Sequence, residues 1–282
     1  MRATRISSTL ASRSSAVRIA AVATLAVAAW IGERIEDAMM WPVNLVRDLP
    51  IRVARLAVTG GRGMRGVVKV VLYSLDAILG RGAPPKISIR SALSSSGLWG
   101  ARVAFQMMDL VGVPELWSFV TRAFVSATPL TGAEIGLASE VLGPNALRYG
   151  DVRIAEGGCL RPVFGANHRR AFTTFYTINM PQSGPSARAN CEILLHELAH
   201  VHQYECVGGF YIVQALHAQH STGYDYGGAE GLELARASGS CYRDFNREQQ
   251  AKIVQDYYLC CRAQLPVQAY EPFIDEMRAG QV

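Results

Sequence analysis

The stretch "CEILLHELAHVHQYE", residues 191–205, carries the pattern H-E-x-x-H at His196, Glu197 and His200. On a helix of about 3.6 residues per turn, the two histidines lie one turn apart on the same side, so both imidazoles can chelate one ion from a single rigid element. Glu197 then projects beside that ion, where its carboxylate can act as general base toward a zinc-activated water. Ile193, Leu194, Leu195, Leu198, Ala199 and Val201 form a wide apolar face, which predicts a mostly buried helix. Asn190 stands where an N-cap is wanted. Chance occurrence of the pattern in a chain this long is on the order of 1%. His202 lies roughly 240° around the helix from His196, so it is expected outside any shared site. His217 and His220 read as helix-surface residues near a polar loop, with a metal-binding pair as the alternative, and His168 reads as a loop residue.

Two histidines are not enough. A catalytic zinc takes three protein ligands and keeps a fourth position open. The longer pattern H-E-x-x-H-x-x-G-x-x-H is absent, because Gln203 and Cys206 stand where its glycine and third histidine belong. A downstream glutamate is the alternative: Glu230 or Glu233 in "GGAEGLELARAS", or Glu248 in "DFNREQQAKIVQDYYLCCR". The second segment is the better helix, with Ala251, Val254, Tyr257, Tyr258 and Cys261 in one stripe and Glu248 three residues before it. A blander role also fits Glu248. Asn246 can cap this helix with Gln249 at the third position, leaving Glu248 as a first-turn acid that suits the helix dipole. Spacing alone leaves all three glutamates open.

The motifs "LLHELAHVHQY", "YDY" and "DFNREQQAKIVQDYY" together resemble bacterial H-E-x-x-H proteins associated with Rhs/Vgr-type secretion cassettes, which are gluzincin-like zinc metallopeptidases. The resemblance covers roughly residues 145–262. It implies one Zn²⁺ ion held by His196, His200 and Glu248. Two departures stand out: His202 replaces a common tryptophan, and Lys252 occupies the place of a gluzincin aspartate, with Asp256 one turn later. The partner that would orient a ligating histidine is therefore unassigned. Tyr224 and Tyr226 flank Asp225 in a glycine-rich loop that could overhang the ion. A phenol there can stabilise an oxyanion, and packing at the loop root is the alternative role.

Upstream, "LRYGDVRIAEGG" and "RAFTTFYTINMP" are rich in β-branched and aromatic residues and bounded by Gly and Pro, so two strands are predicted. In the second, Phe172, Thr174, Tyr176 and Ile178 are expected on one face and Thr173, Phe175 and Thr177 on the other. As a sheet edge, this strand could pair with an extended peptide through its main chain.

The net charge of +5 is unevenly placed: residues 1–90 hold 14 Lys/Arg against 5 Asp/Glu, and the remainder 14 against 18. The mildly acidic remainder argues against nucleic acid as a partner of the main domain. "MRATRISSTLASRSSAVR" has four Arg and no acid, and the apolar run "IAAVATLAVAAWIG" (19–32) follows it. That run is short for a span of about 20 residues, but it suits a signal peptide with Ala26-Val27-Ala28 as cleavage site, an interfacial anchor, or an organellar transit peptide; a plain helix is the remaining alternative. Beyond it, Arg47, Arg52, Arg55, Arg62, Arg65 and Lys69 alternate with Val, Leu and Ile. This reads either as basic amphipathic helices for an anionic membrane surface or as a helical hairpin packed on its own domain and broken at "TGGRGMRG". "RGAPPK" (81–86) is a linker signal, and Gly112 and Pro114 divide the following apolar segment into two short helices. Six cysteines, all from Cys159 onward and without C-x-x-C, argue against a cysteine zinc knuckle and leave disulfides open.

The expected organisation is α+β: a signal-like or anchoring segment (1–32), a basic amphipathic helical region (33–90), and a zincin-like domain (91–282) with a small antiparallel or mixed sheet. The expected function is a zinc-dependent metallopeptidase acting on a peptide or protein substrate, exported or membrane-associated, and periplasmic or extracellular in a bacterium. The alternatives are a non-catalytic membrane- or secretion-associated module that keeps a structural metal, and a helix-rich membrane-remodelling protein.

Overall fold

The computed structural model describes residues 2–78, 89–125, 127–157, 163–164 and 169–282. The linker signal at 81–86, His168 and Cys159 lie outside them. The fold is mixed α+β. Helix α1 (Arg2–Ile78) packs on α2 (Ile89–Leu110) and α3 (Val113–Phe124). Then come β1 (Ala127–Pro129), α4 (Gly132–Leu142), β2 (Arg153–Glu156), β3 (Phe172–Thr174) and β4 (Thr177–Met180). Five further helices complete the chain: α5 (Cys191–Val207), α6 (Tyr211–His220), α7 (Gly228–Ala237), α8 (Arg247–Ala263) and α9 (Glu271–Arg278). The two short helices expected around Gly112 and Pro114 are α2 and α3.

The sheet has the order β1-β2-β4-β3, with β2 and β4 parallel and the outer pairs antiparallel. The single strand expected over 172–178 is in fact a hairpin. Phe175 adopts a left-handed conformation at φ 57°, and Thr174 pairs with Thr177 across a two-residue turn. No Gly, Asn or Asp marks that turn; tertiary contacts hold it instead. The Phe175 ring packs 5.2 Å from that of Tyr204, and its N–H donates to the Tyr211 hydroxyl at 3.2 Å. The hairpin leaves β3 at the sheet edge.

Helix α5 is buried as its apolar face predicts, with Leu194, Leu195, Leu198 and Val201 in the main core beside Ile154 and Ile178 of the sheet and Val254 of α8. Asn190 occupies the N-cap position, but its side chain turns back and donates to the Gly184 and Pro185 carbonyls rather than accepting from the helix. Asn246 does form the predicted capping box with Gln249 on α8. The five described cysteines are free thiols.

The N-terminal region departs furthest from expectation. Helix α1 continues through "TGGRGMRG" without a break. Its polar residues Asp37, Asp48, Arg52, Arg55 and Thr59 recur at helical spacing and face the protein, and Arg52 is only 3% exposed. Asp48 pairs with Arg148 at 2.5 Å, Arg47 with Asp151 at 2.7 Å, Arg122 with Asp37 at 3.1 Å, and Arg52 with Glu115. Arg55 donates to the Glu205 carbonyl at the end of α5. The glycines that follow α5 make room for α2: Asp109 accepts from the Gly209 N–H at 2.8 Å and lies where side chains at 208 and 209 would stand. The opposite stripe of α1, with Ile35, Met39, Val46 and Val53, is exposed. The helix is thus amphipathic with its charges inward. No helix among the described residues is long and apolar enough to cross a membrane.

Burial raises the Asp48 pKa, but the hydrogen bond and charge of Arg148, with help from Arg47 and Arg52, outweigh it and hold the carboxyl below 3.8. A depressed folded value means that this stabilisation is present above the unfolded pKa and is lost as pH falls through the folded one. Asp48→Asn is therefore expected to lower stability by about 1–3 kcal/mol near neutral pH. Urea titrations at descending pH should show the gap to the parent protein closing below about pH 4.

Candidate metal centre

Packing of α5 against α8 brings three candidate ligands together, two histidines and a glutamate. One oxygen of Glu248, Oε2, lies 3.4 Å from His196 Nε2 and 3.5 Å from His200 Nε2. The three ligand atoms all lie within 4.8 Å of one another, and all three residues are buried. Glu248 is 1% exposed. Of the three glutamates left open by spacing, Glu230 and Glu233 are exposed on α7. Glu248 faces inward from the first turn of α8, so capping that helix and facing the histidines are compatible roles.

Hydrogen bonds fix two of the three, His200 and Glu248. His200 Nδ1 lies 2.9 Å from Gln203 Oε1, while the Gln203 amide nitrogen donates to the Arg247 carbonyl at 2.9 Å and to Gln250 Oε1 at 3.1 Å. With its nitrogen so committed, Gln203 must accept, which puts the His200 proton on Nδ1 and leaves the Nε2 lone pair facing Glu248. Gln219 donates to the other carboxylate oxygen, Glu248 Oε1, at 2.9 Å. Neither Gln203 nor Gln219 was assigned a role from sequence. Gln203 stands at i+3 from His200, the spacing that lets side chains on one helix meet.

Glu248 Oε2 and His196 Nδ1 are buried without a hydrogen-bond donor or acceptor among the described residues. Two ligands bound at about 2.0–2.1 Å on a tetrahedron lie about 3.3–3.4 Å apart. The observed 3.4 and 3.5 Å separations fit that edge length. The residues present therefore suit a small divalent cation. Without one, a proton answers the carboxylate: burial lowers the His200 pKa, but Glu248 outweighs it and raises the group to about 9. Burial conversely raises Glu248, and the two imidazoles overcome it to hold the carboxyl well below the usual range.

Glu197 is buried beside this cluster, and its Oε2 accepts from the Thr173 hydroxyl of edge strand β3 at 2.7 Å. Thr173 is a further residue that sequence alone did not single out. Its carbonyl accepts from Tyr211 at 2.9 Å, so part of the outer edge of β3 is already occupied. The two loop tyrosines separate. The Tyr224 ring lies 5.9 Å from that of His196, and burial pushes its phenol up to about 12. The Tyr226 hydroxyl instead donates to Asp256 at 2.7 Å, within a cluster with Tyr270 and Phe245. Asp256 also pairs with Lys252 at 2.6 Å. His202 lies outside the ligand set, with Cys206 Sγ 3.7 Å away; burial, reinforced by the Arg247 charge, lowers its pKa to about 4. His217 and His220 are exposed on α6.

Residues 145–207 match the family described as the eCIS core domain, that of extracellular contractile injection systems. The matched stretch includes β2 to β4 and the helix with His196, Glu197 and His200, and it ends before Glu248. The match is consistent with a bacterial, secretion-related protein. No curated protein and no solved structure matches the chain.

Losing a partner that orients a metal-ligating histidine typically costs about 10–100-fold in affinity. Gln203→Leu is expected to weaken divalent-metal binding by that factor while leaving near-native far-UV circular dichroism, as read by competition with a chromogenic chelator.

Proposed function

We propose that the protein is a zinc-dependent metallopeptidase with a zincin-like active site. The observation that carries this reading is the buried Glu248 oxygen, 3.4 and 3.5 Å from two histidine nitrogens and without a hydrogen-bond donor. His196, His200 and Glu248 supply two neutral nitrogens and one anionic oxygen, a set that zinc accepts in catalytic sites. When bound there, the ion supplies a Lewis acid that polarises a carbonyl and acidifies a water.

The chain's own groups divide the remaining work. Glu197, whose Oε2 accepts from Thr173, would take the proton of the attacking water and later return it to the departing amine. Tyr224, protonated at neutral pH, can donate its phenolic hydrogen to the developing oxyanion. Tyr226 supports the loop by packing and by its bond to Asp256. Strand β3, at the sheet edge beside α5, offers a main chain along which an extended peptide can lie.

Metal analysis of the purified full chain is expected to find about one zinc per molecule, lost in His196→Ala/His200→Ala. Glu197→Gln should retain the zinc and lower hydrolysis of unfolded casein about 10²–10⁴-fold. Hydrolysis that survives Glu197→Gln, or a chain that takes up no zinc, overturns the reading.

A second reading concerns localisation, and it rests on the outward apolar stripe of α1, where Val46 is 68% and Val53 50% exposed. Such a face suits a bilayer interface, with burial of apolar area rather than charge as the main attraction. Flotation with mixed phosphatidylglycerol vesicles is expected to recover the protein with little loss at raised salt, and Val46→Glu/Val53→Glu should abolish recovery. Failure of the parent protein to float refutes membrane contact without touching the metal centre.

A further inference from the structure

On the face of α6 and α8 turned away from Glu248 lies a cavity of about 580 Å³, closed on its other side by α1 and α2. That volume falls within the range of small-molecule sites. Four arginines line it, Arg62, Arg102, Arg243 and Arg247, and no Asp or Glu does. None of the four makes an ion pair among the described residues. Arg247, although only 8% exposed, has only the amide oxygens of Gln214 and Gln250 as side-chain acceptors. Arg102 stacks its guanidinium 5.1 Å over the Phe210 ring. Burial first, and then the charge of Arg62, hold the Arg102 pKa below the usual arginine range, so these groups repel one another across the cavity.

The contrast within the molecule is informative. Elsewhere the structure answers four of its inward arginines with carboxylates, Arg52 with Glu115, Arg122 with Asp37, Arg148 with Asp48 and Arg188 with Glu134, and gives Arg55 the Glu205 backbone carbonyl. Around this cavity Arg247 is buried and Arg102 half-buried, Arg62 and Arg243 are exposed, and none of the four meets a carboxylate among the described residues. Arg102 and Arg247 are the partly desolvated members, and like charges held that way are costly unless an anion neutralises them.

The apolar side of the cavity is also built. Trp99, 44% exposed, presents its indole into it and is fixed there by a 3.0 Å bond from Nε1 to the Thr59 carbonyl. A side chain at Gly63 would run into this ring, with 2.5 Å to the indole nitrogen. The glycine-rich "TGGRGMRG" thus leaves α1 intact and gives the indole room. Phe245 supplies a further aromatic surface.

We propose that this cavity binds a small organic phosphate, its phosphate held by Arg62, Arg102, Arg243 and Arg247 and its apolar or aromatic body lying against Trp99 and Phe245. Arginine forks suit phosphate oxygens, and aromatic faces suit a flat or acyl-bearing body. The site is separate from the metal centre and needs no metal. A soluble nucleotide and a phospholipid headgroup both carry this chemistry.

The test is calorimetric titration of the full chain with adenosine monophosphate, with short-chain dihexanoyl phosphatidic acid, with inorganic phosphate, and with neutral adenosine. One of the two organic phosphates is expected to bind at least about tenfold more tightly than phosphate or adenosine, and the tighter of the two identifies the source. Arg62→Gln/Arg102→Gln should weaken that binding at least about tenfold, while His196→Ala leaves it unchanged. Gly63→Leu, which displaces the indole, should weaken the organic probe but not inorganic phosphate. No binding of either organic phosphate, equal binding of adenosine, or binding indifferent to the arginine substitutions overturns the proposal.

Discussion

A carboxylate that is 1% exposed needs compensating positive charge, and the C-terminal half of the molecule is arranged around how Glu248 finds it. It emerges from the first turn of α8, where the Asn246 and Gln249 capping box fixes the start of the helix. It meets His196 and His200 only because α5 lies flat against α8 in the core. The amides of Gln203 and Gln219, with Gln250 behind them, then satisfy His200 Nδ1 and Glu248 Oε1, and leave Glu248 Oε2 and His196 Nδ1 as the atoms without a partner among the described residues. A half-satisfied buried network is costly, so the site and the core that carries it depend on each other. Helix α8, which carries Glu248, and α6, which carries Gln219, also present Arg247 and Gln214 to the cavity.

The N-terminal helix obeys a different logic. It is joined to the rest of the molecule through charges, and its apolar residues face outward. Asp48 and Arg148 form the centre of this junction, with Glu205, Tyr176 and Asp151 around them. Glu205 and Tyr176 belong to α5 and to the hairpin turn, so the seat of α1 adjoins the elements that frame the metal centre. Pro42 and Pro50 lie inside α1, and each removes a backbone donor. That a helix persists through both reflects how much of it is held by tertiary contacts.

The parts of this fold legible in the sequence were those governed by local rules. Periodicity places His196, Glu197 and His200 on one buried helix, and spacing sets His202 apart from them. The capping pattern at Asn246 marks the start of α8. What stayed hidden depends on long-range contacts. The turn at Phe175 has no turn residue; the ring's packing on Tyr204 and a bond to the Tyr211 hydroxyl hold it. The choice of Glu248 over Glu230 and Glu233 required knowing which face of which helix meets α5. The inward face of α1 stayed open between a membrane-surface and a domain-packed reading because alternating Arg and Val mark two faces without saying which one is buried. Only the positions of Glu115, Asp109 and Arg148 decide that.

The contacts that seat α1 span long stretches of chain: Asp48 to Arg148 is 100 residues, Arg47 to Asp151 is 104, and Arg55 to Glu205 is 150. Closing loops of that length costs entropy before any contact forms. A ribosome therefore completes α1 well before it makes the groups that anchor it. An apolar inner face left waiting would invite association with other chains, whereas a charged one rests in water at little cost. A nascent chain intercepted before residue 205 would accordingly carry α1 undocked and accessible, with its charged face still in water.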